Sequence, residues 1–382
     1  MPWSETLYAL MKQPFPQLSA SSSSSQKILV WSFVLVLVLM FSSAIKAQDF
    51  KSVKFGDDFL SIGGGARALA MGSAHAALVN DVTAAYWNVA ALSRVENVEA
   101  MYMHSERFSG VVGYDYGAVA VPVNPDKRSV VAVTFIRQGV DGIKNTLNAW
   151  NVDRDLPKSD PANYITEFSY SDLAFLLSYS SSTTQYFSWG VNAKILNSRM
   201  GPFANAWGYS LDLGVLYKGE FADWGIQLVN IPSLMKFWSV NAGNLQPLAE
   251  IFEDEVPSGQ NEKSPMSVKV GLSKVIPMNK FSLALAMDSD IYFDGRETYY
   301  LNLGSISFEP HAGAELSFNN LVSLRAGVTD VVKDFSSGYT VTPTLGAGLH
   351  FKSVSVDYGI DSFSGVSSEL GTTHRVSLKV GF

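Results

Sequence analysis

Serine as a nucleophile and histidine as its base are the candidate catalytic pair in this 382-residue sequence, which has no cysteine. A catalytic serine needs a base and an orienting acid within hydrogen-bond reach. His75, His104 and His374 each have serine nearby, but the sequence contains no Gly-x-Ser-x-Gly nucleophile elbow. The five histidines also lack the spacing of metal ligands. We therefore predict no catalytic residue, no metal site and no cofactor.

A Gly-Gly-Gly-Ala-Arg stretch at residues 63–67 is the other candidate for chemistry, as a phosphate-binding loop. Such a loop follows a buried strand and carries a Lys-Ser/Thr pair or a full dinucleotide fingerprint, and neither accompanies this stretch. The net charge of −7 also argues against a nucleic-acid partner. We interpret the small residues instead as allowing short helices to pack closely against the wall of a lumen. Inside that polar lumen we expect Arg67 and Asp81 to pair with each other.

The composition narrows the protein class. Charged residues make up 16% of the chain, against roughly 25% in an ordinary soluble domain, and aromatic residues make up 12%. After the first fifty residues there is no apolar run of the length that a membrane-spanning helix needs. This combination leaves a large soluble all-β protein or a transmembrane β-barrel.

The first 47 residues read as a secretory signal peptide with an N-terminal extension. Lys27 precedes an apolar run over residues 28–41, and small residues lead to Ala47, the expected cleavage site, with Ala44 as the second choice. The alternative is a membrane anchor helix, for which the apolar run is short. We expect the mature protein to be exported.

From about residue 97 the sequence alternates between apolar and small or polar residues, which is typical of β-strands. Alternation alone does not separate a soluble sandwich from a barrel whose apolar face meets lipid. The number of predicted strands favours the barrel, because an even number of antiparallel strands can close into a barrel without an exposed edge. Fourteen segments are predicted, near 97–104, 113–123, 128–137, 165–180, 185–198, 205–218, 221–230, 265–275, 280–290, 299–317, 320–329, 340–351, 353–361 and 372–382.

Connection lengths and the C-terminus support the same class. Connections after even-numbered segments are short, whereas those after odd-numbered ones are mostly longer, notably 138–164 and 231–264. Short periplasmic turns and long external loops are the pattern of outer-membrane barrels. The last segment ends on Phe382, which resembles the signal that directs barrel assembly. We predict an all-β, fourteen-stranded antiparallel outer-membrane barrel over residues 97–382, in a Gram-negative-type bacterium.

Residues 48–96 do not alternate and suggest short helical pieces that plug the lumen. They also carry a resemblance. The pattern Gly65-Ala-Arg67-Ala-Leu-Ala-Met71-Gly72-Ser-Ala, then Asn80-Asp81, then Tyr86-Trp87-Asn88-x-Ala90-x-Leu92 resembles the N-terminal signature of the PorV/PorQ family. That family usually has Trp-Asn-Pro-Ala-Gly-Leu, so Val89 and Ala91 depart from it. We expect Trp87 and Asn88 to anchor a turn of the plug.

The resemblance implies a non-enzymatic barrel of the FadL-like kind that supports type IX-like secretion or surface attachment. Its partners would then be secreted cargo proteins or secretion-system subunits, besides outer-membrane lipid. In the predicted loop 231–264, Met235, Phe237 and Trp238 are the candidate contacts, beside an acidic cluster at 250–255. The same loop could instead fold over its own barrel mouth. The alternative function is FadL-like passage of hydrophobic small molecules, with the plug as a movable hatch.

Overall fold

The alternating segments fold as antiparallel strands in the computed structural model of the chain. The structure describes residues 58–151, 154–252, 259, 261–293, 301–334, 338–362 and 372–382. The predicted signal segment 1–47 and residues 48–57 of the predicted plug lie outside the described residues. In the described part, fourteen long strands form one sheet: β1 (Glu99–Arg107), β2 (Val112–Asn124), β3 (Ser129–Asn145), β4 (Thr166–Ser182), β5 (Phe187–Met200), β6 (Ala204–Tyr217), β7 (Asp223–Val240), β8 (Asn261–Met278), β9 (Phe281–Tyr292), β10 (Ile306–Phe318), β11 (Val322–Asp334), β12 (Gly338–Phe351), β13 (Val354–Ser362) and β14 (Thr372–Gly381).

The sheet closes on itself. β1 pairs with β14, with Glu99 opposite Gly381 and Glu106 opposite His374, and each remaining strand pairs with its neighbours in the chain. Closure satisfies the backbone groups that would otherwise stand unpaired at a sheet edge, which a lipid environment demands. The fourteen-stranded antiparallel barrel predicted from the sequence is confirmed.

The outer face of the barrel is apolar between two aromatic borders, as β6 illustrates. Its outward residues Leu211 and Leu213 lie between Tyr217 at one end and Tyr209 and Trp207 at the other, and all five are exposed. The intervening residues face the lumen and are buried. An apolar band flanked by aromatic girdles is the lipid-facing surface of a transmembrane barrel.

The two ends of the barrel differ in their connections. Connections after even-numbered strands are short turns, such as residues 125–128 and 279–280, and we call this the short-turn end. The long-loop end carries the connections 146–165 and 241–260, although residues 108–111 and 201–203 also make tight turns there. In outer-membrane barrels the short turns are periplasmic and the long loops external.

Two predicted loops have wrong boundaries, because strands continue beyond the point where the alternation fades. β3 runs to Asn145, β7 runs to Val240 and β8 begins at Asn261, so both ends of the predicted loop 231–264 are strand. The pairing shifts register near Leu211 in β6 and near Pro265 in β8, and these irregularities obscure the period-2 pattern.

The helices are short, and none of those described is part of the barrel wall. The α-helices are α1 (Ala66–Ala70), α2 (Ala84–Trp87) and α3 (Ala242–Phe252), and 3-10 helices occupy Asp58–Ser61, Val89–Arg94, Leu147–Ala149 and Pro161–Tyr164. Short strands at Trp150–Asn151, Leu156–Pro157 and Leu301–Leu303 complete the described elements. Among the described residues, no helix is both long and apolar enough to cross a membrane.

Candidate functional site

Residues 58–96 lie inside the barrel, and we call this segment the plug. Most of its side chains are buried. The amide of Ala66 donates to Ser377 Oγ on β14 at 2.7 Å, and the amide of Val89 donates to Gln227 Oε1 on β7 at 2.8 Å. The plug is therefore hydrogen-bonded to strands on opposite sides of the barrel, and it occupies the space between them.

Glycine lets the plug backbone touch the barrel wall directly. Gly72 has φ +64°, and a Cβ there would lie 2.4 Å from the carbonyl oxygen of Val328. On the wall, a Cβ on Gly327 would lie 2.3 Å from the amide of Gly72. Met71 is fully buried at the same contact, and Gly65, with φ +87°, precedes α1. Contacts this short exclude any side chain, so both surfaces need glycine.

Arg67 holds α1 to the wall through a bidentate ion pair. Its Nε and Nη2 donate to the Glu315 carboxylate on β10 at 2.8 and 2.9 Å, and its Nη1 donates to Asn80 Oδ1 at 2.7 Å. Glu315 also accepts from Arg325 Nε on β11 at 2.5 Å. Arg325 in turn donates to Asp357 on β13 at 2.7 Å. Such charge-assisted pairs combine strength with fixed geometry.

The predicted pairing of Arg67 with Asp81 is wrong, because each residue bonds to the barrel or to its own segment instead. Asp81 Oδ2 accepts from Lys379 Nζ on β14 at 3.3 Å. Asp81 Oδ1 accepts from the amide and hydroxyl of Thr83 at 3.0 and 2.5 Å. The ionic partners of Arg67 and Asp81 thus lie on β10 and β14, far along the chain, which sequence spacing does not reveal.

Trp87 and Asn88 hold together distant parts of the plug. Trp87 Nε1 donates to the carbonyl of Gly64 at 2.7 Å. The Asn88 amide donates to the carbonyls of Ala76 and Val215 at 2.9 and 3.0 Å, and its oxygen accepts from the amide of Ala90 at 3.1 Å. These bonds fit a turn anchor, which remains our interpretation of the two residues.

Val89, which stands where the PorV/PorQ pattern has proline, makes a backbone hydrogen bond to the wall. The amide of Val89 donates to Gln227, whose own amide donates to the carbonyl of Tyr86 at 3.0 Å. Proline has no N–H group and could not make the first of these bonds. The chain therefore uses Val89 for an additional link between the plug and β7.

Asp288 is an anchor that sequence reasoning missed. This buried β9 carboxylate accepts from the backbone amides of His75 and Ala76, both at 2.6 Å. The neighbouring His75 imidazole packs edge-on against Trp87, and neither ring nitrogen has a hydrogen-bond partner among the described residues. Burial lowers the pKa of His75 to about 3, so the ring is neutral at neutral pH.

The lumen wall beneath the plug has one apolar side. Buried inward side chains on β1 to β4 form what we call the apolar lumen strip: Met101, Met103, Tyr114, Tyr116, Ile136 and Leu176. Plug residues Phe59, Leu69 and Trp87 belong to the same buried cluster. A Cβ on Gly64 would lie 2.4 Å from the Tyr116 ring, so the plug and the strip are in close contact.

The three candidate partner contacts lie on β7 and not in a loop. Phe237 is on the outer face, where its ring stacks on Tyr209 with centroids 5.9 Å apart, and Met235 shares that face. Trp238 is on the lumen side, with Lys236 Nζ 5.3 Å from its ring. The three side chains do not form one surface. Residues 253–255 of the acidic cluster lie outside the described residues.

Phe382 is an exposed aromatic at the end of the chain. Its amide donates to the carbonyl of Val98 at 2.8 Å, which ties the C-terminus to the start of β1. Its role as an assembly signal remains a prediction.

Adjacent residues of a strand point to opposite faces, which separates the candidate serine and histidine pairs. His104 lies on the outer face, where its Nδ1 is 2.8 Å from Asp115, whereas Ser105 is buried on the lumen side. His374 also faces outward and bonds to Tyr358 and Thr372. In the described part of the chain, these two histidines have no serine nucleophile as a hydrogen-bond partner.

One group of possible metal ligands was missed because its members come from two strands. Side-chain atoms of Asp290, Glu309 and His311 lie within 4.8 Å of one another. Lys269 forms an ion pair with Asp290, and His311 Nδ1 is 3.0 Å from Thr329 Oγ1. Because Lys269 already neutralises Asp290, we assign the group to the charged wall of the lumen.

No protein-family profile matches the chain, and no curated protein matches it. Solved structures do match. They include the CymD monoaromatic hydrocarbon channel (13% identity, 84% of this chain, 98% of that chain, TM-score 0.51). Toluene transporters also match: TbuX of Ralstonia pickettii (12% identity, 84% and 98% of the chains, TM-score 0.50) and TodX of Pseudomonas putida (13%, 84% and 99%, TM-score 0.50). At this identity the likeness shows the fold, and the chain has the barrel fold of these channels.

Proposed function

We propose that this protein is a non-enzymatic outer-membrane channel for hydrophobic small molecules, with the plug as its hatch. The apolar lumen strip carries the proposal. An apolar ligand needs converging apolar side chains along its path, and Met103, Tyr116 and Ile136 provide them on one side of the lumen. The solved hydrocarbon channels of the same fold support this reading.

The plug covers the apolar lumen strip. It is not part of the barrel wall but is joined to it by hydrogen bonds and ion pairs. Apolar contacts of Leu69 and Trp87 shield the strip, while Arg67 and Asp81 bond to the charged strands on the other side. Moving the plug requires these ion pairs to break together with the hydrogen bonds that join its backbone to the wall. In this proposal an apolar ligand replaces plug side chains on the strip as the hatch opens toward the periplasm.

A role in type IX-like secretion remains the second proposal, and it rests on the PorV/PorQ-like pattern at residues 65–92. In the structure that pattern forms the plug interior and its wall contacts, so it offers little surface to a secreted protein. Cargo would have to bind the long-loop end. Mass spectrometry of the gently solubilised protein separates the two roles: bound apolar molecules support the channel, and bound proteins with a shared C-terminal domain support secretion.

Uptake of labelled toluene and labelled palmitate by cells that express the protein tests the channel directly. Ile136→Asn places an amide on the apolar lumen strip, and we expect uptake of both probes to fall several-fold. Thr134→Asn is the matched control, because Thr134 is also buried on the lumen side of β3 but is already polar. Equal uptake by the wild type and the Ile136→Asn variant, both folded, would overturn the proposal.

A further inference from the structure

A cleft of about 740 Å³ opens at the long-loop end of the barrel, where β5, β6 and β7 meet. Its lining includes Asn197, Arg199, Asn205 and Trp207. The cleft is distinct from the plug, and no step of the proposed transport uses it.

Strand pairing places these side chains on the outside of the barrel. Arg199 on β5 is opposite Asn205 on β6, which is opposite Ser239 on β7. The alternate residues Ser198 and Ala206 are buried on the lumen side. Because side chains alternate along a strand, Arg199 and Asn205 face outward.

The row formed by Arg199 and Asn205 lies just beyond the apolar band. The next outward residues of β6 toward the membrane centre are Trp207 and Tyr209, which are 58% and 59% exposed. Phe237 stacks on Tyr209 in the same girdle. Aromatic girdles mark the border between hydrocarbon and headgroups. The cleft therefore lies at the level of the lipid headgroups, on the external side.

The side chains at this level suit a phosphorylated sugar. Arg199 makes one weak hydrogen bond, from Nε to the carbonyl of Gly201 at 3.4 Å, and no ion pair among the described residues. Its guanidinium can bind a phosphate with two parallel bonds. The Asn205 oxygen accepts from Asn197 at 2.9 Å, which leaves the Asn205 NH₂ group as a donor. The exposed face of Trp207 offers an apolar surface to a sugar ring.

We propose that this cleft binds the phosphorylated sugar headgroup of an outer-leaflet glycolipid. Charge complementarity comes from Arg199, and the acyl chains lie on the continuous apolar surface of Leu211 and Leu213 below the girdle. A soluble phosphate or sugar would use the arginine and asparagine but would leave this adjoining apolar surface unused. The glycolipid uses both.

Native mass spectrometry of the delipidated barrel in detergent tests the proposal, with bisphosphorylated lipid A and its dephosphorylated form as probes. We expect the wild type to bind the phosphorylated form about tenfold more tightly, which corresponds to about 1.4 kcal/mol. Arg199→Gln removes this preference. The matched control Arg154→Gln, which removes an arginine elsewhere at the long-loop end, keeps it.

Equal affinity of the wild type for both forms of lipid A would overturn the proposal. So would an equal loss of preference in Arg154→Gln, since charge at the long-loop end in general would then explain binding. Asn205→Leu is a second variant of the cleft and is expected to weaken binding of the phosphorylated form. Heat-dependent migration on a gel establishes that each variant is a folded barrel before it is measured.

Discussion

At the level of single residues, the plug is held by polar contacts whose partners lie far away in the chain. Arg67 meets Glu315, Asp81 meets Lys379, and the amides of His75 and Ala76 meet Asp288. The sequence indicated that Arg67 and Asp81 sit in a polar lumen. Their partners were beyond prediction because they depend on barrel closure, which brings β9, β10 and β14 around residues 58–96.

Arg67→Ala should increase ion conductance through the barrel in a planar bilayer. The substitution removes a bidentate pair, and we expect plug docking to weaken by about 2 kcal/mol. The open lumen then admits ions for a larger fraction of the time. Lys127→Ala, which removes a cation from the short-turn end, serves as the control. Unchanged conductance of a folded Arg67→Ala barrel would contradict the hatch.

Gly327→Ala should push the plug away from the wall without changing charge. The new Cβ would lie 2.3 Å from the amide of Gly72, a distance that forces the two backbones apart. We expect trypsin to cleave after Arg67 and Arg94 faster than in the wild type, as measured by mass spectrometry of the fragments. Gly113→Ala is the control, since nothing lies within 4 Å of a Cβ there. Equal cleavage of both variants would show that this contact does not hold the plug.

At the level of elements, the strands could be predicted where they cross the membrane and less well beyond it. In the apolar band, side chains alternate between lipid and lumen, and the period-2 pattern follows. Beyond the band, β3 continues through Gly139 and Gly142 to Asn145, and β7 continues past Pro232 to Val240. The strand pairing shifts register there, between Val140 and Ile143 of β3 and between Leu228 and Met235 of β7, and these shifts interrupt the alternation. This is why Phe237 and Trp238 were assigned to a loop.

The last strand provides a prediction about assembly. Phe382 is exposed and bonds only through its backbone amide to Val98 among the contacts described, so its side chain contributes little to packing. Phe382→Ala should therefore leave the finished barrel equally stable but lower the amount inserted into the outer membrane several-fold. Phe221→Ala, at a turn residue that is 87% exposed, is the control. Equal insertion of both variants would refute the assembly signal.

At the level of the whole molecule, the lumen has an apolar side and a charged side, and the plug is joined to both. The strip on β1 to β4 packs against Leu69 and Trp87, and the charges on β10 to β14 bind Arg67 and Asp81. Composition indicated a barrel, but not this division, because inward residues from many strands must converge to create it. This division allows an apolar path along the strip, while the ion pairs on the opposite side hold the plug in place.

A disulfide that locks the plug tests the hatch most directly. The Cβ of Ala70 in α1 lies 3.5 Å from the position of a Cβ on Gly359 in β13, which is within the range that a disulfide spans. The sequence has no cysteine, so the double variant Ala70→Cys, Gly359→Cys forms no competing bond. The single variant Gly359→Cys controls for the added side chain.

The measurement is uptake of labelled toluene by the double variant before and after addition of a reductant. If the plug is the hatch, uptake is blocked in the oxidised protein and recovers to the level of the single variant on reduction. Equal uptake by the oxidised and reduced forms, with the crosslink verified by mass spectrometry, would contradict the account.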